Sequence, residues 1–173
     1  MAILYYFNTL SKGRAAWLLL SLTALFCELS ALFFQHILKL DPCVMCIYER
    51  VAMAGLIFSG LIGAIAPYWT RFPALILWLV SSIWGAQLAW EHVGYQFDPS
   101  PFNTCDMFVT FPDWLPLNQW MPNIFEATGS CSDIVWNFVG LSMPQWLQII
   151  FSVFIIAAII VTISQLTSRH SQK

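Results

Sequence analysis

The chain has 173 residues, of which 59% are hydrophobic and only 9% are charged, and its net charge is −2. Ordinary soluble domains carry about 25% charged residues, so this composition indicates a membrane protein. The length suits one domain, and residues 1–173 are predicted to form a single integral membrane unit. The sequence has no basic cluster, which is the usual sign of nucleic-acid binding, so no nucleic-acid partner is predicted.

The first two apolar stretches predict membrane-spanning helices over residues 15–35 and 43–66. The first stretch contains one charge, Glu28, and is too long for the core of a cleaved signal peptide, so it is interpreted as a retained helix. The second span must begin near Cys43, because residues 51–66 alone are too short, at about 1.5 Å per residue, to cross roughly 30 Å of hydrocarbon. The first turns of this second helix carry Cys43, Cys46, Glu49 and Arg50.

Two further apolar stretches, residues 72–90 and 143–166, predict the third and fourth spans. Loops 36–42 and 91–142 then face one side of the membrane, and Lys39 is their one basic residue. The opposite side is flanked by Lys12, Arg14, Arg71, Arg169 and Lys173. Basic residues mark cytoplasmic flanks, so both termini are predicted to be cytoplasmic and the long loop to be translocated.

Four of the five cysteines fall in or beside these translocated loops, where disulfides persist. Cys43 and Cys46 form a C-x-x-C, a spacing that serves redox dithiols, zinc sites and structural disulfides alike. Pro42 lets a helix begin at about Cys43, and a helix N-terminus favours a thiolate. Arg50, seven residues after Cys43, lies on the same helical face and would stabilise negative charge there. Alternatively, it extends to the interface or pairs with a carboxylate.

Cys105 and Cys131 lie 26 residues apart in the long loop. A bond between them could be a structural disulfide that contributes roughly 3 to 4 kcal/mol through loop entropy. Beside a second dithiol on the same face, the pair could instead exchange with Cys43 and Cys46 as a relay. The loop segment 111–125 is rich in Trp and aliphatic residues, allows at most a short helix, and either lies on the bilayer or packs on the bundle top.

Two residues of the first span are expected to have structural roles. Cys27 lies among apolar residues in the middle of the span, where a thiol behaves as a small buried hydrophobe. Glu28 is expected to be paired, because an intramembrane carboxylate without a partner is costly. Its depth, about 10 Å below Gln35, makes Arg50 one partner and polar groups of neighbouring helices another.

Many segments, which occur in the same order along the chain, resemble the disulfide bond formation protein B (DsbB) family of the bacterial inner membrane. The segments that carry the resemblance are Gly13–Leu19, Pro42–Arg50, Glu91–His92, Pro99–Phe102, Thr104–Asp106, Phe111–Leu117, Cys131 and Met143–Leu147. The resemblance implies an all-α membrane protein: a four-transmembrane-helix bundle with a long periplasmic loop between helices 3 and 4. It also implies a quinone-dependent thiol-disulfide oxidoreductase that reoxidises the periplasmic oxidase DsbA and passes the electrons to ubiquinone or menaquinone in the membrane pool.

Carried over residue by residue, the resemblance implies that Cys105 and Cys131 form the disulfide attacked by DsbA, with Cys105 making the mixed disulfide. Electrons would then pass to Cys43 and Cys46, and Cys46 would be the thiolate beside the quinone. Arg50, Gln35 and His92 correspond to positions that support or line the quinone pocket.

Three other classes of protein have sequence features in common with this chain. A vitamin K epoxide reductase-like oxidase shares the reaction, although its quinone-facing C-x-x-C usually comes late in the chain. A membrane scaffold with two inert disulfides would leave Arg50 without an evident purpose. A metal site built from four cysteines is awkward for a helix-end pair in an oxidising compartment, so no metal is predicted.

Overall fold

The structure, a computed structural model, describes residues 9, 12–98 and 104–170, and of residues 166–170 the backbone alone. The segment Pro99–Phe102, which is part of the family resemblance, and the basic Lys173 lie outside the described residues. The elements in chain order are α1 (Arg14–His36), α2 (Val44–Ile65), α3 (Pro67–Phe97), α4 (Leu117–Trp120), α5 (Pro122–Phe125), β1 (Asn137–Phe138), β2 (Leu141–Ser142) and α6 (Met143–His170).

Helices α1, α2, α3 and α6 are long and apolar enough to cross a membrane, which confirms the four predicted spans. Large apolar side chains point outward from them, among them Phe26 at 72% exposure and Ile76 at 63%. A soluble protein rarely exposes large contiguous apolar surface, whereas lipid tails cover it without cost. The all-α membrane bundle is therefore the fold of this chain.

Helix α3 is longer than the predicted span 72–90 at both ends. Residues 67–71, expected to be a connection, are helical because Pro67 suits the first helical position and Thr70 Oγ1 donates to the carbonyls of Ile62 and Ala66. Residues 91–97 continue the helix, and Gln87 donates to the Glu91 carboxylate one turn away at 3.0 Å. The long loop therefore begins at Asp98 and not at Glu91.

The bundle packs α1 on α2, α2 on α3, and α3 on α6. Trp17 and Trp78 meet edge to face in the core, with ring centroids 6.1 Å apart. Gly60 lets α1 and α2 approach closely, because a Cβ at that position would overlap the backbone of Trp17 and Ser21. This antiparallel packing places the start of α2 and the end of α3 at one end of the bundle.

Arg71, near the start of α3, donates to Gln165 near the end of α6 at 2.9 Å. The basic residues Arg14 and Arg71 therefore lie at the end of the bundle away from the C-x-x-C motif. At the motif end, β1 and β2 form a small hairpin that the sequence did not predict. Its turn residues Val139 and Gly140 both have positive φ (53° and 80°), as a two-residue hairpin turn requires. The usual sequence of such a turn is Asn-Gly, so the Val-Gly pair gave no signal of it.

Candidate functional site

The C-x-x-C motif lies at the N-terminus of α2. Cys43 caps this helix, since its backbone is still extended (φ −85°, ψ 172°) and its sulfur accepts a hydrogen bond from the Cys46 N–H at 3.2 Å. A Ser or Asp oxygen usually occupies that position at a helix cap. The two sulfurs are 2.7 Å apart, and both residues are free thiols. The predicted start of the helix near Cys43 is confirmed.

A histidine and a carboxylate from two different helices adjoin Cys43. His92 of α3 has Nε2 3.4 Å from the Cys43 sulfur and Nδ1 3.1 Å from Oε1 of Glu49 on α2. Both side chains are almost fully buried, with 3% of His92 and 2% of Glu49 exposed. An ionised carboxylate can only accept, which assigns the ring proton to Nδ1 and leaves Nε2 to accept from the Cys43 thiol. The row of three groups can therefore take a proton from Cys43.

The sequence analysis gave Glu49 no role. The signal that could have found it is a second ionisable residue in a spanning helix, three positions after Cys46 and thus on the same helical face. His92 was expected to line one pocket together with Gln35 and Arg50. The structure places His92 beside Cys43, in a small cavity whose lining includes neither Gln35 nor Arg50.

Arg50 is held by three partners from other parts of the chain and is 6% exposed. Its Nε lies 3.2 Å from Oε1 of Glu28 on α1. Its Nη1 donates to Gln35 Oε1 and to the Ile124 carbonyl, each at 2.7 Å. Glu28 was expected to be paired, and of the two kinds of partner left open the structure shows Arg50. A buried arginine with this many partners has a fixed orientation.

A cleft with about 80 Å³ of free volume lies beside these groups at the motif end of the bundle. Polar side chains on its wall include Arg50, Gln35 and Glu28, together with the thiol of Cys46. Apolar residues such as Phe34 and Leu147 form the rest of the lining. An apolar cavity with a few convergent polar groups is the usual form of a small-molecule site.

Cys27 also lines this cavity and is half-buried against the main core. Its expected place among apolar residues of the first span is therefore correct, but it is closer to the Cys46 site than the sequence indicated.

The other two cysteines, Cys105 and Cys131, form a disulfide in the long loop, with 6.1 Å between their Cα atoms. The segment before Cys131 is docked on the C-x-x-C motif, because the N–H groups of Thr128 and Gly129 donate to the Pro42 carbonyl at 2.9 and 3.0 Å. Gly129 is required by this approach, since a Cβ there would overlap the carbonyl of Asp41. The loop disulfide is thus held against the start of α2.

All four of these cysteines belong to one cluster. Cys43 and Cys131, each 3% exposed, belong to its buried part with Val44, Met45 and Leu88, while Cys46 and Cys105 are half-buried against it. Two cysteine pairs from segments far apart in sequence therefore meet at one end of a membrane bundle, beside a cavity with a buried arginine.

Comparison with known proteins finds matches over nearly the whole chain. The family model described as "Disulfide bond formation protein DsbB" matches residues 13–161. The chain belongs to the DsbB family. It is 56% identical to disulfide bond formation protein B of Photobacterium profundum over 168 residues, which cover 96% of each chain. It is 57% identical to the protein of the same name from Photorhabdus laumondii over 165 residues, 95% of this chain and 98% of that one.

A member of the DsbB family is a disulfide-forming oxidoreductase, and this one is a multi-pass membrane protein. Family membership decides against the vitamin K epoxide reductase-like oxidase and the inert scaffold. A metal site made of all four cysteines is not formed, because Cys105 and Cys131 are bonded to each other.

The Trp-rich loop segment of this DsbB family member has only the short helices α4 and α5, as predicted. It is attached to the bundle top through Ile124, which accepts from Arg50, and through Asn123, which accepts from Gln35 at 3.1 Å. Trp114 and Trp120 remain 75% and 61% exposed. The segment therefore packs on the bundle top, which was one of the two expected placements, and its Trp rings face outward.

Proposed function

We propose that this protein oxidises the dithiol of a periplasmic DsbA-type oxidase and passes two electrons, through its loop disulfide and its C-x-x-C pair, to a membrane quinone. The observation that carries the proposal is the single cluster of both cysteine pairs beside the Arg50 cavity. The flanking residues Arg14 and Arg71 lie at the opposite end of the bundle, which supports a periplasmic location for the cysteines in the inner membrane.

The first step takes place at the loop disulfide. A partner thiolate attacks the sulfur of Cys105, the more accessible of the two, and Cys131 leaves as a thiolate. When the second partner thiol displaces Cys105, the partner holds a new disulfide. The loop pair is then a dithiol that carries the two electrons.

The second step transfers the electrons to the C-x-x-C pair in its disulfide form. Cys131 and Cys43 are the buried members of the two pairs, so the Cys131 thiolate attacks Cys43 and Cys46 leaves as a thiolate beside the cavity. The Cys105 thiol then displaces Cys43 and restores the loop disulfide. The net change in this step is one disulfide reduced and one disulfide formed.

Reoxidation of Cys43 and Cys46 releases two electrons and the thiol protons. His92 is positioned to take the proton of Cys43 through Nε2, and Glu49 stabilises the imidazolium that results. A bound quinone, ubiquinone or menaquinone, supplies the two-electron acceptor for this step. Arg50, Gln35 and Cys46 are the residues that would hold it, whereas His92, which lines a separate small cavity beside Cys43, would act on the Cys43 proton.

The test is a reconstituted assay with reduced DsbA, the purified protein and ubiquinone-1. Quinone reduction is followed by absorbance, and DsbA oxidation by alkylation and gel shift. Equal amounts of DsbA oxidised and quinone reduced, with both dependent on the protein, are expected. Oxidation of DsbA with no matching consumption of quinone, under nitrogen, would show that the electrons go elsewhere.

A further inference from the structure

We propose that the reduced Cys43–Cys46 pair and His92 form a binding site for one thiophilic divalent cation of the zinc class. Metal binding at this site does not depend on the proposed function. Its consequence, which is to hold the pair reduced and stop turnover, rests on that function.

The donor atoms already converge. The sulfurs of Cys43 and Cys46 and a ring nitrogen of His92 all lie within 4.8 Å of one another. Two thiolates and one nitrogen around a tetrahedral zinc ion lie roughly 3.8 Å (S to S) and 3.6 Å (S to N) apart, given Zn–S of about 2.3 Å and Zn–N of about 2.0 Å. The Cys43 sulfur and Nε2 are 3.4 Å apart, close to that spacing. The two sulfurs, at 2.7 Å, need to separate by about 1 Å, which a rotation of the half-buried Cys46 side chain supplies.

The histidine has the form that a metal ligand requires. Metal-binding histidines usually donate the other ring N–H to a carboxylate, which fixes the tautomer and the ring orientation. Glu49 provides this partner, because its Oε1 lies 3.1 Å from Nδ1. The lone pair of Nε2 therefore faces the sulfurs, where a cation would replace the thiol proton.

The charges also balance. Binding breaks two S–H bonds and forms two metal–sulfur bonds and one metal–nitrogen bond, and two protons leave to solvent. The two thiolates neutralise a divalent ion. Arg50, the buried cation on the same helix, is engaged by Glu28, Gln35 and Ile124.

A fourth ligand has a place. A cavity with about 20 Å³ of free volume, enough for one water molecule, borders Cys43, Cys46 and His92, and its wall also carries Ser130 and Asp133 from the loop. Zinc sites with three protein ligands keep a water in the fourth position. A site of this kind exists only when the pair is reduced, since a disulfide has no thiolate to offer.

Metal binding is tested on full-length protein that carries Cys27→Ala, Cys105→Ser and Cys131→Ser, so that Cys43 and Cys46 are the only cysteines. The protein is reduced, freed of reductant without oxygen, and titrated with Zn²⁺ by calorimetry and with Co²⁺ by absorption. One ion per chain is expected, with the thiolate-to-cobalt band of a tetrahedral site. After oxidation of the pair to the disulfide, at least a hundredfold weaker binding is expected.

Variants in the same background assign the ligands. Cys46→Ser and His92→Gln should each abolish the tetrahedral cobalt band. Glu49→Gln should weaken Zn²⁺ affinity by about 10- to 100-fold, the usual effect of an outer-shell partner. His36→Gln is the matched control, because His36 is exposed at the end of α1, and it should leave affinity unchanged. Equal binding by the oxidised protein, or a band that persists in Cys46→Ser, would overturn the proposal.

The effect on turnover is measured separately with the unmodified chain. Zn²⁺ should stop DsbA oxidation, protect Cys43 and Cys46 from alkylation, and be reversed by a chelator. Inhibition without metal bound at one ion per chain would contradict the metal site and leave the oxidase function standing. Full turnover with the metal bound would contradict the inhibitory consequence alone.

Discussion

The Cys43–Cys46 pair belongs to a membrane-spanning helix, whereas the Cys105–Cys131 pair belongs to a loop. The first pair is fixed by its own helix and by His92 of α3, and Cys46 opens onto the Arg50 cavity. The second pair is placed by two backbone hydrogen bonds to Pro42 and leaves Cys105 half-buried. Each pair thus has one buried cysteine in the shared cluster, Cys43 or Cys131. The other cysteine of each pair, Cys46 or Cys105, is more accessible and is the one proposed to meet the quinone or the protein partner.

This difference indicates how one small bundle can react with a protein partner at one cysteine pair and with a membrane molecule at the other. A loop can present its disulfide to a folded partner in water. A helix end at the membrane surface can present a thiol to a ligand that is dissolved in lipid. In the proposed function the exchange passes through the buried cluster that both pairs share, so changes at the two pairs should affect different half-reactions.

The largest effect is expected for Cys46→Ser and Cys43→Ser. Either change removes the dithiol that delivers two electrons, so quinone reduction should fall to background. The assay is quinone absorbance with reduced DsbA as donor, and the folded state is checked by thermal unfolding in detergent. Quinone reduction that stays above background in either folded variant would contradict the assignment of the inner pair.

Replacing Cys105 by Ser separates the two pairs. DsbA oxidation should be lost, because the sulfur proposed to form the mixed disulfide is gone. A small dithiol such as dithiothreitol should still reduce Cys43 and Cys46 directly, so slow quinone reduction with this donor should persist. The comparison of the two donors in one preparation is the measurement, and unchanged DsbA oxidation would show that Cys105 has no such role.

The contact between the pairs is tested by Gly129→Val. The added side chain would overlap Asp41 and break the two hydrogen bonds to Pro42, each contributing about 0.5–1.5 kcal/mol. Turnover with DsbA should fall by about tenfold or more, since 1.4 kcal/mol corresponds to a factor of ten. Reduction by dithiothreitol should be unaffected.

The control for this prediction is Ser132→Val, which places the same side chain at an exposed position of the same loop. It should preserve turnover with DsbA. If Gly129→Val and Ser132→Val gave the same rate as the unmodified protein, the docked loop segment would not be needed for exchange.

A smaller effect is expected for Glu28→Gln. The change removes the charge opposite Arg50 but keeps the side-chain shape, so a loss of about 1–3 kcal/mol in stability or a moderate rise in the quinone KM is expected. Exchange between the cysteine pairs at saturating quinone should be intact. Arrest of thiol exchange in a variant of unchanged stability would instead assign Glu28 to proton transfer.

The smallest effect is expected for Cys27→Ala. Cys27 is half-buried and no hydrogen bond ties it to the four-cysteine cluster among the described residues, so turnover should change by less than about twofold, with at most a small packing penalty. Steady-state rates with DsbA and quinone are the measurement. A large loss in a folded variant would show that the thiol on the cavity wall takes part in the reaction.

The sequence alone determined the four spans, the start of α2 and the separation of two cysteine pairs. Span length and apolar composition are local properties, because hydrocarbon thickness imposes a minimum helix length on any chain. Pro42 and the C-x-x-C likewise define a helix end within a few residues. The depth of Glu28 could also be estimated from helical rise, and this was enough to name Arg50 as one of two possible kinds of partner.

Only the tertiary structure decided which groups meet across the bundle. The contact of Cys43 with His92 joins residues 49 apart, and that of Arg50 with Ile124 joins residues 74 apart. Such contacts depend on the rotation of each helix about its axis and on where the loop docks, and neither is specified by hydrophobic periodicity in a helix that lipid surrounds. The Glu49–His92–Cys43 row and the close approach of Gly129 to Asp41 arise from that packing.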